Sequence, residues 1–200
     1  MVDLVDMSVP MAEAVAKAII SHEAELTTLD QAIGDGDHGV NMKRGMEAVL
    51  ADLPHQAGKP PDEVLKAIGM KLLMNVGGAS GPLYGTLAME FGKTLPASPE
   101  RHDLLNALDL AIAAVKARGK SDLGQKTLID VLAPVRDAIK GGADAKAVVS
   151  VANAAADATI PVRATRGRAS FLGERSVGHI DPGARSCALI IGAICSLLEG

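Results

Sequence analysis

Residues 61–75 read PDEVLKAIGMKLLMN, and residues 76–82 continue VGGASGP. Proline at a first helical position gives up an amide that has no helical acceptor, and its fixed φ suits the first turn. Asp62 and Glu63 follow, where the positive end of the helix dipole favours acids. Val64, Ile68 and Leu72 then repeat at four-residue spacing, which places one apolar stripe on one face. GGASGP ends the pattern abruptly. A capped, striped segment closed by glycine is helix grammar, and it recurs along the chain.

Towards the N-terminus, Ser8 reads as an N-cap, with Pro10 in the first turn and Met11, Val15, Ile19 and Ile20 on the inner face. A short second helix carries Leu26, Leu29 and Ile33 and ends at Gly34. A third begins near Asn41 and runs through Met42, Met46, Val49 and Leu53, with Pro54 just beyond. Towards the C-terminus the expected helices cover about Leu83 to Lys93, then a PASPE linker, then Leu104, Leu108 and Ile112 up to Gly119. Leu128 to Ile139 and Val148 to Ala158 flank Gly141-Gly142, and the last helix runs from about Gly183 to Leu198. The only segment with strand character lies between Val162 and Asp181, and it is short and interrupted. The chain therefore reads as all-α, one domain over residues 1–200, with about eight helices on short connections.

Composition narrows the function classes. Aromatic residues make up 2% of the chain and tryptophan is absent, so the core must be built from Leu, Ile, Val, Met and Ala. Such residues favour close helix packing and leave few rings for stacking bases. The net charge of −4 speaks against a nucleic-acid or anionic-membrane partner. Cys187 and Cys195 stand eight residues apart, too far to bridge within one helix, and reduced thiols suit a cytoplasmic protein. MVDLVDMSVP has two acids and no basic residue, unlike a secretory signal, and no run of 18 apolar residues suggests a membrane span.

Four loops depart from ordinary linker composition: 29–42 LDQAIGDGDHGVNM, 75–86 NVGGASGPLYGT, 117–127 ARGKSDLGQKT and 163–184 RATRGRASFLGERSVGHIDPGA. In the first, Asp30, Asp35 and Asp37 would repel one another unless a cation sits among them. Hard oxygen donors suit Mg²⁺ or Ca²⁺ rather than zinc. The acid spacing does not match an EF-hand. A helix opening at Asn41 would offer free amides to a phosphate. On composition alone, Asp35 and Asp37 serve equally well as turn formers, Asp30 as a surface acid, and His38 as a hydrogen-bonded loop residue.

The glycine loop lacks the Gly-Lys-Ser/Thr of a P-loop, and a plain helix–helix turn explains it as well. Within it, Ser80 could bond a phosphate or ribose. The last loop runs for about twenty residues, a length rare in compact domains unless functional. Its Arg163, Arg166, Arg168 and Arg175 offer bidentate donors to phosphate oxygens, as a lid over a polyphosphate would need.

Together, Asp30, GDGDHGVNM, GGASGPLYGT, GQKT and GRASFLGERSVGHIDPGA resemble the L subunit of bacterial dihydroxyacetone kinases, in order and over nearly the whole chain. The resemblance implies a barrel of eight antiparallel helices with a nucleotide at one end and a long covering loop. It implies that Asp30, Asp35 and Asp37 hold two Mg²⁺ ions. His38, Gly39, Val40, Asn41, Ala79 and Ser80 would line ADP or ATP, with Gly119 and Leu128 on the adenine or ribose side. Arg168 and the turn Asp181-Pro182-Gly183 would close the site, and Arg168 would join the aspartates in catalysis. Leu128 stands where some relatives carry Met, a volume-conserving exchange.

The same resemblance implies partners: a K subunit carrying dihydroxyacetone, and a phosphohistidine M subunit that recharges bound ADP from phosphoenolpyruvate. A transcription regulator and a homodimer are also compatible with it. Phosphoryl transfer needs positioning and charge neutralisation, so no residue here must act as general base. Three other readings stand beside this one: the nucleotide domain of fatty-acid kinase, whose aspartate loop is related but reads differently around His38 in a normally longer chain; a kinase subunit for a four-carbon ketose such as erythrulose, which these motifs do not separate; and a regulatory subunit that senses nucleotide state.

Overall fold

The computed structural model describes residues 4–96 and 98–199. Residues 1–3 of the N-terminal stretch, Ala97 of the PASPE linker and Gly200 lie outside the described residues. The described chain is helical, with no strand. Its α-helices are α1 (Leu4–Ser21), α2 (Glu23–Ile33), α3 (His38–Asp52), α4 (Pro61–Asn75), α5 (Ser80–Gly92), α6 (Arg101–Gly119), α7 (Ile129–Lys140), α8 (Ala145–Asp157) and α9 (Pro182–Glu199). Tighter 3₁₀ turns occupy Leu53–His55 and Arg168–Ser176.

Eight of these helices close a ring. From α3 onward each packs on the next through α9, α9 packs on α1, and α1 returns to α3. The ninth, α2, stands outside the ring against α3, α9 and the Arg168–Ser176 turns. The sequence predicts it as a short helix ending at Gly34, and it ends at Ile33. The ring is tight because its contact faces are small. Ala12 and Ala16, Ala107 and Ala111, Ala152 and Ala156, and Ala184 and Ala188 form buried i, i+4 pairs on α1, α6, α8 and α9. Branched side chains such as Ile19, Leu26, Val115, Ile129 and Val131 fill the space between them.

Several boundaries correct the sequence reading. Ser8 is no N-cap: α1 already runs from Leu4, and the Ser8 hydroxyl donates back to the Leu4 carbonyl. Pro10 accordingly lies inside the helix. The third helix starts at His38 rather than Asn41, because the Asp30 carboxylate caps it from outside. Helix α5 starts at Ser80 rather than Leu83. Pro82 sits in its first turn, where the amide it lacks has no helical acceptor anyway. Between Val162 and Asp181 there is 3₁₀ structure in place of strand character, since Gly167, Gly173 and Gly178 turn the backbone to positive φ. Helix α9 is long and apolar enough to cross a membrane, although its sequence is broken by polar residues. Here it is a ring member with Ala184, Cys187, Ala188 and Cys195 buried, both cysteines being free.

Helices α4 and α5 approach closely through facing glycines. A Cβ at Gly85 would lie 2.8 Å from the Gly69 carbonyl oxygen, and one at Gly69 would lie 2.8 Å from that of Gly85. Gly85→Ala must push the two backbones apart, a cost of about 2 kcal/mol. Thermal unfolding should register a Tm loss on the order of 5 °C. An unchanged Tm would contradict this packing.

Candidate functional site

The site begins where α2 hands over to α3. Asp30 lies in the last turn of α2, and its Oδ2 accepts hydrogen bonds from the amides of Asp37 (2.8 Å) and His38 (3.1 Å). This carboxylate therefore caps α3 from a different helix. Asp37 occupies the N-cap position, but its own side chain does no capping. The intervening turn needs glycine. A Cβ at Gly34 would collide with the Asp30 carboxylate, and Gly36 has φ of 76°. The result is convergence: carboxylate oxygens of Asp30, Asp35 and Asp37 all lie within 4.8 Å of one another. Asp30 is buried, while Asp35 and Asp37 are open to solvent. Three oxygen donors at that spacing fit a hard divalent cation that keeps further sites for water or phosphate.

These acids stand at a cavity of about 440 Å³. Its walls include Asn41, the Gly77–Ser80 turn, Tyr84, Gly119, Lys126, Leu128, Arg166, Arg168 and Asp181–Gly183. Of the residues expected at the site, Asp30, Asp35, Asp37, His38, Asn41, Ala79, Ser80, Gly119, Leu128, Arg168, Asp181, Pro182 and Gly183 all face this one cavity. Gly39 and Val40 do not line it. Gly39 is pressed against α2, where a Cβ would strike the Glu23 carbonyl and Thr27, and the Val40 side chain is exposed. Their contribution is confined to the first turn of α3, where amides lack helical acceptors.

Behind the cavity runs a buried polar chain. His38 Nδ1 lies 3.0 Å from Ser80 Oγ, and Nε2 lies 3.0 Å from Ser186 Oγ. Ser186 in turn meets the Tyr84 hydroxyl at 2.7 Å, and that hydroxyl donates to the Gly183 carbonyl at 3.0 Å. Burial holds the His38 imidazole below its ordinary range, against the opposing pull of Asp30 and Asp37. A neutral ring between two hydroxyls joins α3, α5 and α9 and fixes where Ser80 sits.

The lid returns to the site at three places. Arg168 Nε pairs with Asp35 Oδ2 at 3.0 Å, and Arg166 Nε donates to Gln125 Oε1 at 3.1 Å. Ala164, Ala169 and Leu172 pack on Ile33 of α2. The Arg168 side chain is 72% exposed, so this ion pair contributes little stability.

Sequence reasoning had not singled out Tyr84, Ser186, Arg44 or Lys126. Arg44 donates to Asn41 Oδ1 (2.9 Å) and to the Asn75 carbonyl (2.7 Å), which orients Asn41 towards the glycine turn. Tyr84 is the sole tyrosine, and Ser186 interrupts an apolar helix. Both are polar atoms in buried faces that must find partners, and that was a usable signal.

Asp181 caps α9, accepting the Ala184 amide at 2.7 Å. Burial pushes its carboxyl up to about 7, with the Ala184 amide and Lys126 opposing. Because the fold binds this proton more tightly than the unfolded chain does, stability falls as pH rises from 3.8 to about 7. Asp181→Asn keeps a capping oxygen and removes the charge. Its Tm should match the wild type near pH 4 and exceed it at pH 8, on the order of 3 °C. A parallel pH profile for the two proteins would contradict the buried-carboxyl assignment.

Comparison with known proteins places this geometry. The family model described as the DAK2 domain matches residues 32–196. The chain is 43% identical over 179 residues to the PEP-dependent dihydroxyacetone kinase, ADP-binding subunit DhaL, of Escherichia coli (strain K12), covering 84% of this chain and 85% of that protein. It is 42% identical over 170 residues to the PEP-dependent dihydroxyacetone kinase 1, ADP-binding subunit DhaL, of Listeria innocua, covering 84% of each. Among solved structures, the dihydroxyacetone kinase from C. freundii in complex with AMP-PNP and Mg²⁺ matches with a TM-score of 0.77 at 24% identity. That match covers 96% of this chain but 34% of the longer one, and at this identity it speaks for the fold.

Proposed function

The chain belongs to the DAK2-domain family, and we propose that within it this protein is the nucleotide-binding subunit of a dihydroxyacetone kinase. It passes a phosphoryl group through bound ADP/ATP to dihydroxyacetone held on a separate K subunit. The observation that carries this reading is the convergence of three aspartate carboxylates at one cavity, which a glycine turn and the arginine lid also line. The names of the E. coli and L. innocua relatives supply the nucleotide and the phosphoenolpyruvate dependence. Residues 1–200 act as one nucleotide-binding domain, and two free buried cysteines suit a cytoplasmic setting.

In this reading Asp30, Asp35 and Asp37 hold two Mg²⁺ ions, which when bound neutralise phosphate charge and orient the phosphates for in-line transfer. Asp30 has the most fixed position, because two amides hold its outer oxygen. Asp35 and Asp37 are exposed, and Asp35 is held by the solvent-exposed pair with Arg168. Ser80, fixed by His38, offers a hydroxyl to a phosphate, and the first turn of α3 offers amides. Arg168, beside Asp35 on the lid, would supply guanidinium donors to phosphate oxygens. Gly119 and Leu128 line the same cavity and are proposed to take the base and ribose. No side chain is asked to remove a proton, since the attacking hydroxyl belongs to a substrate on the partner.

A phosphohistidine M subunit is proposed as the recharging partner, because the E. coli and L. innocua relatives are named as PEP-dependent. The sugar is selected on the K subunit, so the acceptor is fixed by the partner rather than by this cavity. The test is reconstitution with K and M subunits, phosphoenolpyruvate and ketoses of three and four carbons. We expect dihydroxyacetone phosphate to form, and Asp35→Asn and Asp37→Asn each to lower the rate at least about 1,000-fold with helical content unchanged. Near-normal transfer by either variant would defeat the metal assignment.

A further inference from the structure

Lys126 is 1% exposed, the largest fully buried side chain of the described residues, and nothing above gives it a task. Its backbone adopts φ of 63°, a left-handed conformation that a side chain rarely adopts without compensation. The compensation is visible at the ammonium. Nζ donates to the Thr159 carbonyl at 2.7 Å and to the His179 carbonyl at 2.6 Å. Those two carbonyls are distant in sequence but adjacent in space. Thr159 follows α8 where the lid leaves the ring, and His179 precedes α9 where the lid returns.

Two further bonds close the same neck. The Gly178 amide donates to the Ile160 carbonyl at 2.8 Å, and the Asp181 amide donates to Thr159 Oγ1 at 3.0 Å. Lys126 alone grips both roots through one group. An ammonium is a compact donor on a long stem, able to satisfy two carbonyls that point at one spot. Burying a charge is costly, so the geometry is retained only where those carbonyls need a donor that the backbone cannot supply.

The neck determines what reaches the cavity. On one side of it lies Arg168, held at its tip by a solvent-exposed pair with Asp35. On the other lies Asp181-Pro182-Gly183, which opens α9 and lines the cavity with Lys126 itself. We propose that Lys126 is a positioning residue. By clamping the two roots of the lid it sets Arg168 and the Asp181–Gly183 turn at the nucleotide phosphates together. This rests on the nucleotide reading for its ligand, but not for its structural content.

The test uses the full chain with Lys126→Met, which keeps the stem and removes the donor. Hydrogen exchange without ligand should accelerate selectively over residues 160–181, at least about tenfold at the Gly178 and Asp181 amides, while α4 to α6 stay unchanged. Calorimetry with Mg–ADP should show affinity weakened at least about tenfold. The Lys126→Met, Arg168→Ala double variant should lose little more than Lys126→Met alone, because a residue acting through Arg168 couples with it. If Lys126→Met fails to fold, Lys126→Gln, which retains a donor for one carbonyl, should show the same selective exchange at smaller size. Uniform acceleration across the ring, or unchanged exchange in the lid, would overturn the proposal. So would additive losses in the double variant. Failure of wild-type protein to bind Mg–ADP would instead sink the nucleotide reading, and lid exchange would still report on the clamp.

Discussion

The Asp30 carboxylate is the constraint from which the site follows. One oxygen accepts the amides of Asp37 and His38 and thereby ends one helix, starts the next and sets the turn between them. Gly34 is there because any larger residue would displace that carboxylate. Once the turn is set, Asp35 and Asp37 have little choice but to stand beside Asp30, and His38 is driven into the ring against Ser80 and Ser186. Three like charges at that distance repel, and the fold tolerates them because two of the three remain in water. The Arg168 guanidinium offsets part of that repulsion at Asp35, and a hard cation is proposed to offset the rest.

The helical ring serves as a frame for this turn. Its small-residue faces let helices approach closely, so the loops at one end meet around a single cavity. Helix α2 has a distinct task. It sits outside the ring, delivers Asp30 to the rim and offers Ile33 as the apolar seat on which the lid rests. The lid is therefore held by a weak exposed ion pair at its tip, a small apolar patch in its middle and a buried ammonium at its neck.

Much of this was legible in the sequence, and the limits have physical causes. Helix periodicity found ring helices such as α4, whose Val64 and Leu72 are buried on one face, while α5, with its buried glycines, was bounded by its flanking loops. Helix starts were misjudged where the cap came from elsewhere. Asn41 was read as the opening of α3 because nothing local marks His38, and the marker is a carboxylate eight residues earlier. The aspartates, the glycine turn and the lid arginine were visible as unusual composition. Lys126 was not, since a lysine in a polar loop reads as solvated, and only the fold reveals the two carbonyls that bury it. Gly39 and Val40 were expected to line ADP or ATP; here Gly39 lies against α2 and Val40 is exposed.

The account stands on the aspartate turn being a cation-dependent nucleotide site. Titration calorimetry of the wild-type protein with ADP, in excess Mg²⁺ and again in EDTA, tests that most directly. The account predicts saturable binding with Mg²⁺ that weakens at least about 100-fold in EDTA. Equal affinity in the two buffers would contradict it.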